Sequence, residues 1–355
     1  MDCLISVVIP FYRTHKDLFS RCMSRIPIKE NLGYEVIVID DGSPREYYAT
    51  LEEYEDYPFV RIIHTENKGV SSARNRGIQE AEGKWILFCD SDDYMDTEAL
   101  RKIADNAENY TSDVVIFNGG RDGNGRIRYN TTFLKEGINY AAEKSNKISV
   151  MESALTAGLL PEGYIQSFSL GAPYCKLIRT DFLRDNEIYF DTTVKLAEDT
   201  LFSLELFNKA RDIQFIDINL YYYVNNPQSV TRVYRPGLSA DMDIFFERTA
   251  DFLKKAGLDK ELEKGYYTRV QFEIGRSFRL QFFNPKNKDP HPRKTYLEFV
   301  SKEPYRTALK KGPLAGKNPA QRLFRYLMMK KGYGNLYNNA RGSAINIKSI
   351  IRRHR

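Results

Sequence analysis

Five short apolar runs constrain this chain more than any other feature. Residues 4–9 and 35–39 are rich in Ile and Val, 60–64, 84–89 and 113–117 are further strand candidates, and stretches with helical patterning separate the five. A run that is apolar without alternation suits a strand buried on both faces, which means a parallel strand covered by helices. Strands alternating with helices at this spacing predict βαβ units and a doubly wound, mostly parallel α/β sheet. The intervening helices are expected over 15–25, from Ser43-Pro44 onward, over 70–81, and from a Thr97 cap to about residue 108. In such sheets ligands bind beyond the carboxyl ends of the strands. Two acidic clusters fall there: Asp40-Asp41-Gly42-Ser43 and Asp90-Ser91-Asp92-Asp93.

After residue 118 the pattern loosens. Asp122-Gly123-Asn124-Gly125 reads as a hairpin turn. Ser149-Val150-Met151-Glu152 has the form of a capping box at a helix start. Residues 176–178 and 214–218 are strand candidates. Residues 197–210 are helical, with Glu198-Asp199 in the first turn, and from 238 the pattern is mainly helical. A chain of 355 residues suits one large domain with an appendage. The expected division is 1–236, with halves 1–118 and 119–236, followed by a helical basic region over 237–355.

Charge and cysteine usage exclude several classes. Cys3, Cys22, Cys89 and Cys175 form no CxxC pair, which argues against zinc and fits a reducing compartment. The N-terminus enters a strand at once without a basic leader, and no run approaches the ~18 apolar residues of a membrane span. A cytoplasmic protein is therefore expected, resting if anywhere on the inner face of the cytoplasmic membrane. The net charge of +6 is unevenly placed: thirteen Lys or Arg follow Glu303, the last acidic residue. Leu323, Phe324, Leu327 and Met328 share one helical face opposite Arg322 and Arg325, and Ile345, Ile347, Ile350 and Ile351 precede Arg352-Arg353-His354-Arg355. Two readings stand: a peripheral contact with anionic lipid, or a helical subdomain packed on the rest of the chain with solvated basic edges. No recognition motif accompanies the charge, so nucleic acid is not an expected partner.

Three carboxylates within Asp90-Ser91-Asp92-Asp93 repel one another unless a cation neutralises them. Oxygen ligands on a loop suit Mg²⁺ or Mn²⁺, which can also hold phosphates. The same residues can instead form a solvated turn, with Asp92 or Asp93 capping the next helix. Asp40-Asp41 can accept hydrogen bonds from a base or ribose, or can shape a turn. Gly69 permits close backbone approach just before a helix N-terminus, where anions are favoured. Arg74 and Asn75 on that helix can meet phosphate or simply face solvent. Glu198-Asp199 can supply a general base, or can be a pair favoured by the helix dipole.

In order and spacing, these elements resemble glycosyltransferase family 2. The resemblance is carried by Val7-Val8-Ile9-Pro10-Phe11-Tyr12, Ile39-Asp40-Asp41-Gly42-Ser43, Asn67-x-Gly69, Ala73-Arg74-Asn75-x-Gly77 and Phe88-Cys89-Asp90-Ser91-Asp92-Asp93. Lys176-Leu177-Ile178-Arg179, Glu198-Asp199-Thr200 and Gln228-Ser229-Val230-Thr231 are similar to later blocks of its bacterial cell-surface polysaccharide members. The resemblance spans about residues 3–235. It implies a GT-A fold and an inverting transfer of a hexosyl or N-acetylhexosaminyl group. The donor would be a nucleoside-diphosphate sugar, UDP by default, and the acceptor a glycan or lipid-linked oligosaccharide. Pro10, Tyr12, Asp41 and Gly69 would lie at the nucleotide, and Arg74 would help position the donor. Asp90 would contact ribose or metal-bound water, and Asp92 would bind Mn²⁺ or Mg²⁺. Ser229 and Thr231 would lie near the pyrophosphate. Asp199 would be the general base, and Glu198 would position donor or acceptor. A sugar nucleotidyltransferase is the alternative enzyme, but Pro10-Phe11-Tyr12-Arg13 lacks its glycine-rich loop. A catalytically inactive glycan-binding protein fits Asp92 and Glu198-Asp199 less well.

Overall fold

The computed structural model describes residues 4–28, 30, 33–123, 125–156, 169–225, 233–312 and 319–333. These form two compact units, one ending at residue 225 and one beginning at 233.

The first unit is built on a nine-stranded sheet of order β3-β2-β1-β4-β8-β6-β9-β5, with β7 paired to β6. β1 (Ile5–Phe11), β2 (Tyr34–Asp41), β3 (Val60–Thr65) and β4 (Trp85–Phe88) pair in parallel. Every residue of β1, β2 and β4 is buried, as their unbroken apolar runs require. β8 (Lys176–Arg179) runs antiparallel between β4 and β6 (Val114–Gly123), so β6 again points along β4. β9 (Ile213–Val224) is parallel to β6, whereas β5 (Tyr94–Met95) and β7 (Arg126–Tyr129) run against their neighbours. Six strands thus share one direction. This is a GT-A-like α/β sheet of mostly parallel strands, as its pattern predicts.

Strand order reverses at β1, which lies between β2 and β4. Pairing of β1 with β4 stops at Val8, whereas pairing with β2 continues to Phe11. The two neighbours diverge there, and Pro10, which has no N–H to offer a ladder, sits in the opened stretch. A crevice at such a switch point is the expected ligand site of this sheet class.

The helices of this unit are α1 (Lys16–Ser24), α2 (Tyr48–Glu52), α3 (Val70–Glu80), α4 (Thr97–Asn106), α5 (Lys144–Leu155), α6 (Thr180–Asp185) and α7 (Glu198–Lys209). α3 lies close on β1: a Cβ on Gly77 would come 2.2 Å from Val8 Cγ1. Three caps differ from expectation. Asp96, not Thr97, caps α4, its carboxylate accepting from Ala99 N at 2.9 Å. Ser43 does not cap the helix after β2; Pro44 precedes a 3₁₀ turn, and the Ser43 hydroxyl is used elsewhere. Ser149 lies inside α5 rather than at its start, its hydroxyl bonded back to Ser145 O. A short polar side chain can serve either position, and the local pattern does not distinguish them.

The second unit is helical: α8 (Leu238–Lys255), α9 (Glu263–Ser277) running into a π-helical turn over Phe278–Phe282, α10 (Pro292–Val300), α11 (Tyr305–Lys310) and α12 (Pro319–Lys331). Its core is aromatic, with Phe246, Phe278, Phe282, Tyr296, Phe299 and Tyr305 buried. α12 docks through Tyr326 and Met329: Tyr326 hydroxyl bonds Leu309 O, and Tyr296 hydroxyl bonds Met329 O at 2.9 Å. Leu323 and Leu327, assigned from sequence to its apolar face, are exposed. Residues 345–355 lie outside the described chain.

Candidate active site

Three loops meet at the carboxyl edge of the sheet. The first follows β1. Arg13 there has φ +51°, and its N–H donates to Ser43 Oγ at 3.1 Å. Thr14 Oγ1 lies 2.6 Å from Ser91 Oγ. The loop thereby ties both acidic clusters to the end of the central strand. Tyr12 projects beyond it, 44% exposed, with the Arg13 guanidinium 4.9 Å from its ring centroid.

The second loop follows β2, whose last two residues, Asp40 and Asp41, begin the first acidic cluster and divide their work. Asp40, fully buried, accepts from Ser43 N and meets His64 Nδ1 at 2.8 Å. Asp41 accepts from Lys68 N at 2.7 Å and Gly69 N at 2.8 Å, so it holds the turn that opens α3. Gly69 has φ +92°, and a Cβ there would meet nothing within 4 Å, leaving its backbone open to a ligand.

The third loop is Asp90-Ser91-Asp92-Asp93. Asp93 does not begin a helix. It is buried and accepts from Tyr221 Oη at 2.6 Å and Val224 N at 2.7 Å, clamping the loop to β9. Burial, with Asp90 and Asp92 nearby, pushes its carboxyl well above the usual carboxylate range. Tyr221 also accepts from Asp90 N at 3.3 Å and stacks on Tyr174 at 4.1 Å. Asp90 and Asp92 are half-buried. Arg21 reaches the Asp92 carbonyl at 3.5 Å.

Arg74 joins this loop to α7. Its guanidinium is buried, donating to Asp90 Oδ1 at 2.8 Å and to Glu198 Oε1 at 3.3 Å, with Phe190 beneath it. Burial disfavours the cation, but Asp90 and then Glu198 outweigh it and hold the group above its ordinary range. Arg74 Nε is buried and finds no hydrogen-bond partner among the described residues. Glu198 is pushed upward by burial and by Asp199. Asp199 Oδ1 accepts from Thr200 N at 2.8 Å. Lys176 is fully buried; burial pushes its ammonium down to about 8, with the charges of Cys175 and Asp199 opposing that shift in part. Asn75 fixes the neighbouring segment by reciprocal bonds to Phe190 N and O, at 2.8 and 2.9 Å.

Of the non-glycine residues described with positive φ, Arg13, Cys175 and Ala197 flank the site, Ala197 immediately before Glu198. Such conformations cost roughly 1–3 kcal/mol each and persist where surrounding structure imposes them. Asp90, Arg74, Glu198 and Asp199 are thus assembled in one place, with Asp92 on the same loop. Asp41, Gly69 and Tyr12 line the adjoining loops, and Pro10 lies buried behind them. Ser229 and Thr231 lie outside the described residues. Sequence reasoning missed Tyr174, Tyr221 and Thr14, and placed Lys176 within a motif block without giving it a role. Only contacts across the sheet reveal them, apart from Lys176, whose charge inside a strand run was a legible anomaly.

The donors fit a hard divalent ion. Asp93 is committed to β9 and Asp90 pairs with Arg74, so the carboxylates of Asp90 and Asp92 are the oxygen donors on this loop that would suit such an ion, with no thiol or imidazole on the loop. Among the described residues no group of three His, Cys, Asp or Glu is arranged to hold a metal.

Residues 6–157 match the family model described as Glycosyl transferase family 2. Over that stretch, which is under half of the chain, the chain is similar to this family. The chain is 26% identical over 257 residues to the uncharacterized glycosyltransferase EpsJ of Bacillus subtilis, covering 72% of this chain and 71% of EpsJ. It is 29% identical over 224 residues to the poly(ribitol-phosphate) β-N-acetylglucosaminyltransferase TarS of Staphylococcus aureus, covering 61% of this chain and 35% of that one. The chain therefore spans about a third of TarS. A crystal structure of S. aureus TarS 1-349 in complex with UDP-GlcNAc superposes with TM-score 0.58 at 22% identity, covering 93% of this chain and 91% of that one. The chain thus shares the GT-A-like fold of that neighbour.

Proposed function

We propose that this glycosyltransferase moves a hexosyl or N-acetylhexosaminyl group from a UDP-linked donor to a hydroxyl of a cell-surface glycan or lipid-linked acceptor, inverting the anomeric centre. The Asp90–Arg74–Glu198 bridge carries the reading, because it brings the first turn of α7 against the acidic loop. The UDP and UDP-GlcNAc complexes of TarS and the polymer named in its activity support the donor and acceptor classes.

In this reading Asp199 takes the proton of the acceptor hydroxyl as its oxygen bonds to the anomeric carbon. The bond from that carbon to the β-phosphate oxygen breaks, and its electron pair leaves with UDP. One displacement inverts the centre, so no enzyme nucleophile is needed. Glu198 orients donor or acceptor, and Arg74 fixes Glu198 and Asp90. Tyr12, Asp41 and Gly69 border the nucleotide; Asp92, with Asp90, would hold Mn²⁺ or Mg²⁺. The ion would neutralise charge on the departing diphosphate. Asp199→Asn should lower turnover by about 10²–10⁴-fold while leaving UDP-sugar affinity intact, and Asp92→Ala should remove the Mn²⁺ dependence of that affinity. Calorimetry with and without Mn²⁺, beside a transfer assay, separates the two. Near-normal turnover in Asp199→Asn would reject the base assignment. We further place the enzyme on the inner face of the cytoplasmic membrane, held to anionic lipid by its basic C-terminal region.

A further inference from the structure

The β6–β7 ribbon carries an arrangement that sheet stability does not explain. Its register sets Arg121 directly opposite Arg128, and Arg126 follows two residues from Arg128 on the same face. Like charges facing one another across a ladder are destabilising. All three arginines are exposed, and among the described residues none makes an ion pair. Charges do protect edge strands from pairing with other chains, but that purpose needs no cluster on one face.

The same face leads to the reacting groups. Register places Arg121 beside Tyr223 of β9, with the guanidinium 5.6 Å from the ring centroid. Two residues back along β9 is Tyr221, whose hydroxyl contacts Asp93 and Asp90 N. Aromatic rings thus run from the arginines to the acidic loop.

We infer that the arginine face of this ribbon binds the acceptor, and that the acceptor is a linear polyanion bearing repeated phosphate groups. Guanidinium forks match phosphate oxygens in pairs, and a chain of phosphates removes the repulsion between Arg121 and Arg128. The inference rests on the glycosyltransferase reading and extends it to the acceptor's chemical class.

Phenylglyoxal modification of the full chain, read at each arginine by peptide mass spectrometry, tests it with inorganic polyphosphate as probe. Polyphosphate should slow modification of Arg121 and Arg128 roughly tenfold, equivalent to about 1.4 kcal/mol of binding. The protection should fade at high salt, and neutral dextran should give none. Arg128→Gln should weaken protection at Arg121. Unprotected ribbon arginines overturn the inference, as does equal protection by dextran, or protection by phosphatidylglycerol vesicles but not by polyphosphate. UDP calorimetry separates the two levels. Protection without UDP binding leaves the ribbon assignment and rejects the donor; UDP binding without protection rejects the ribbon alone.

Discussion

Arg74 keeps its charge in the interior because two carboxylates meet it there. Removing one member of a buried ionic group leaves the others uncompensated, at roughly 3–5 kcal/mol. Asp90 and Glu198 keep some solvent exposure, 29% and 17% of their side chains, so the lower end applies. Arg74→Leu should therefore destabilise the fold by about 3 kcal/mol in urea unfolding. Arg74→Lys should recover only part of this, since one ammonium cannot reproduce the two-armed bridge. Full recovery by lysine would mean that charge alone matters. Lys176 makes a pH-dependent case. Its folded-state value is about 8, against about 10.4 for an unfolded lysine. The native state therefore binds fewer protons between those limits, and stability contributed by this group rises with pH across them and is lost as pH falls through 8. Relative to Lys176→Met, wild-type stability should increase by at most about 3 kcal/mol between pH 7.5 and 10. A pH-independent difference in urea denaturation would contradict this.

At the scale of elements, the loops at the carboxyl edge are fastened by side chains that reach neighbouring loops, several of them capturing backbone N–H groups. The turn before α3 rests on Gly42, where φ is +68° and a Cβ would lie 2.5 Å from Asn67 N. Gly69 shares the positive φ but has empty space around it. Left-handed geometry costs roughly 1–2 kcal/mol for an L-residue, and overpacking about 1–3 more. Gly42→Ala should thus lower the thermal midpoint clearly more than Gly69→Ala, whose main effect should fall on UDP affinity. The reverse order in thermal melts would mean that the two loops do not press on each other as described. The central parallel strands and the helices between them were legible in the sequence, because β1 and β2 are almost unbroken apolar runs separated by helical patterning. β5 was not legible as a strand, and β7 was legible only through the hairpin turn at 122–125, which the antiparallel pairing of β6 with β7 bears out. Two residues cannot show alternation, and all four of β7 are exposed.

For the molecule as a whole, charge is divided between a mildly acidic first 303 residues and a basic remainder. α12 packs inside the helical unit through Tyr326 and Met329, leaving Leu323 and Leu327 outward. Among the described residues no helix is long and apolar enough to cross a membrane. Five Lys or Arg follow residue 333, each contributing about 1 kcal/mol at an anionic surface. The full chain should float with phosphatidylglycerol vesicles at low salt, and a chain ended at residue 333 should float much less. Equal flotation would remove the membrane assignment.

By itself the sequence determined the doubly wound sheet, the strand ends where chemistry gathers, and the identity of Asp90, Asp92, Glu198 and Asp199 as candidate reacting groups. Those are properties of local period and of chain order. Tertiary structure decided what each carboxylate does. Asp93 became a clamp because Tyr221, 128 residues away, donates to it. Asp41 became a backbone anchor because Lys68 and Gly69 turn their N–H groups toward it. Arg74 became a bridge because Glu198, 124 residues along, arrives beside Asp90. A carboxylate's function depends on which donors surround it in space, and residues so far apart meet only when the sheet closes around its switch point.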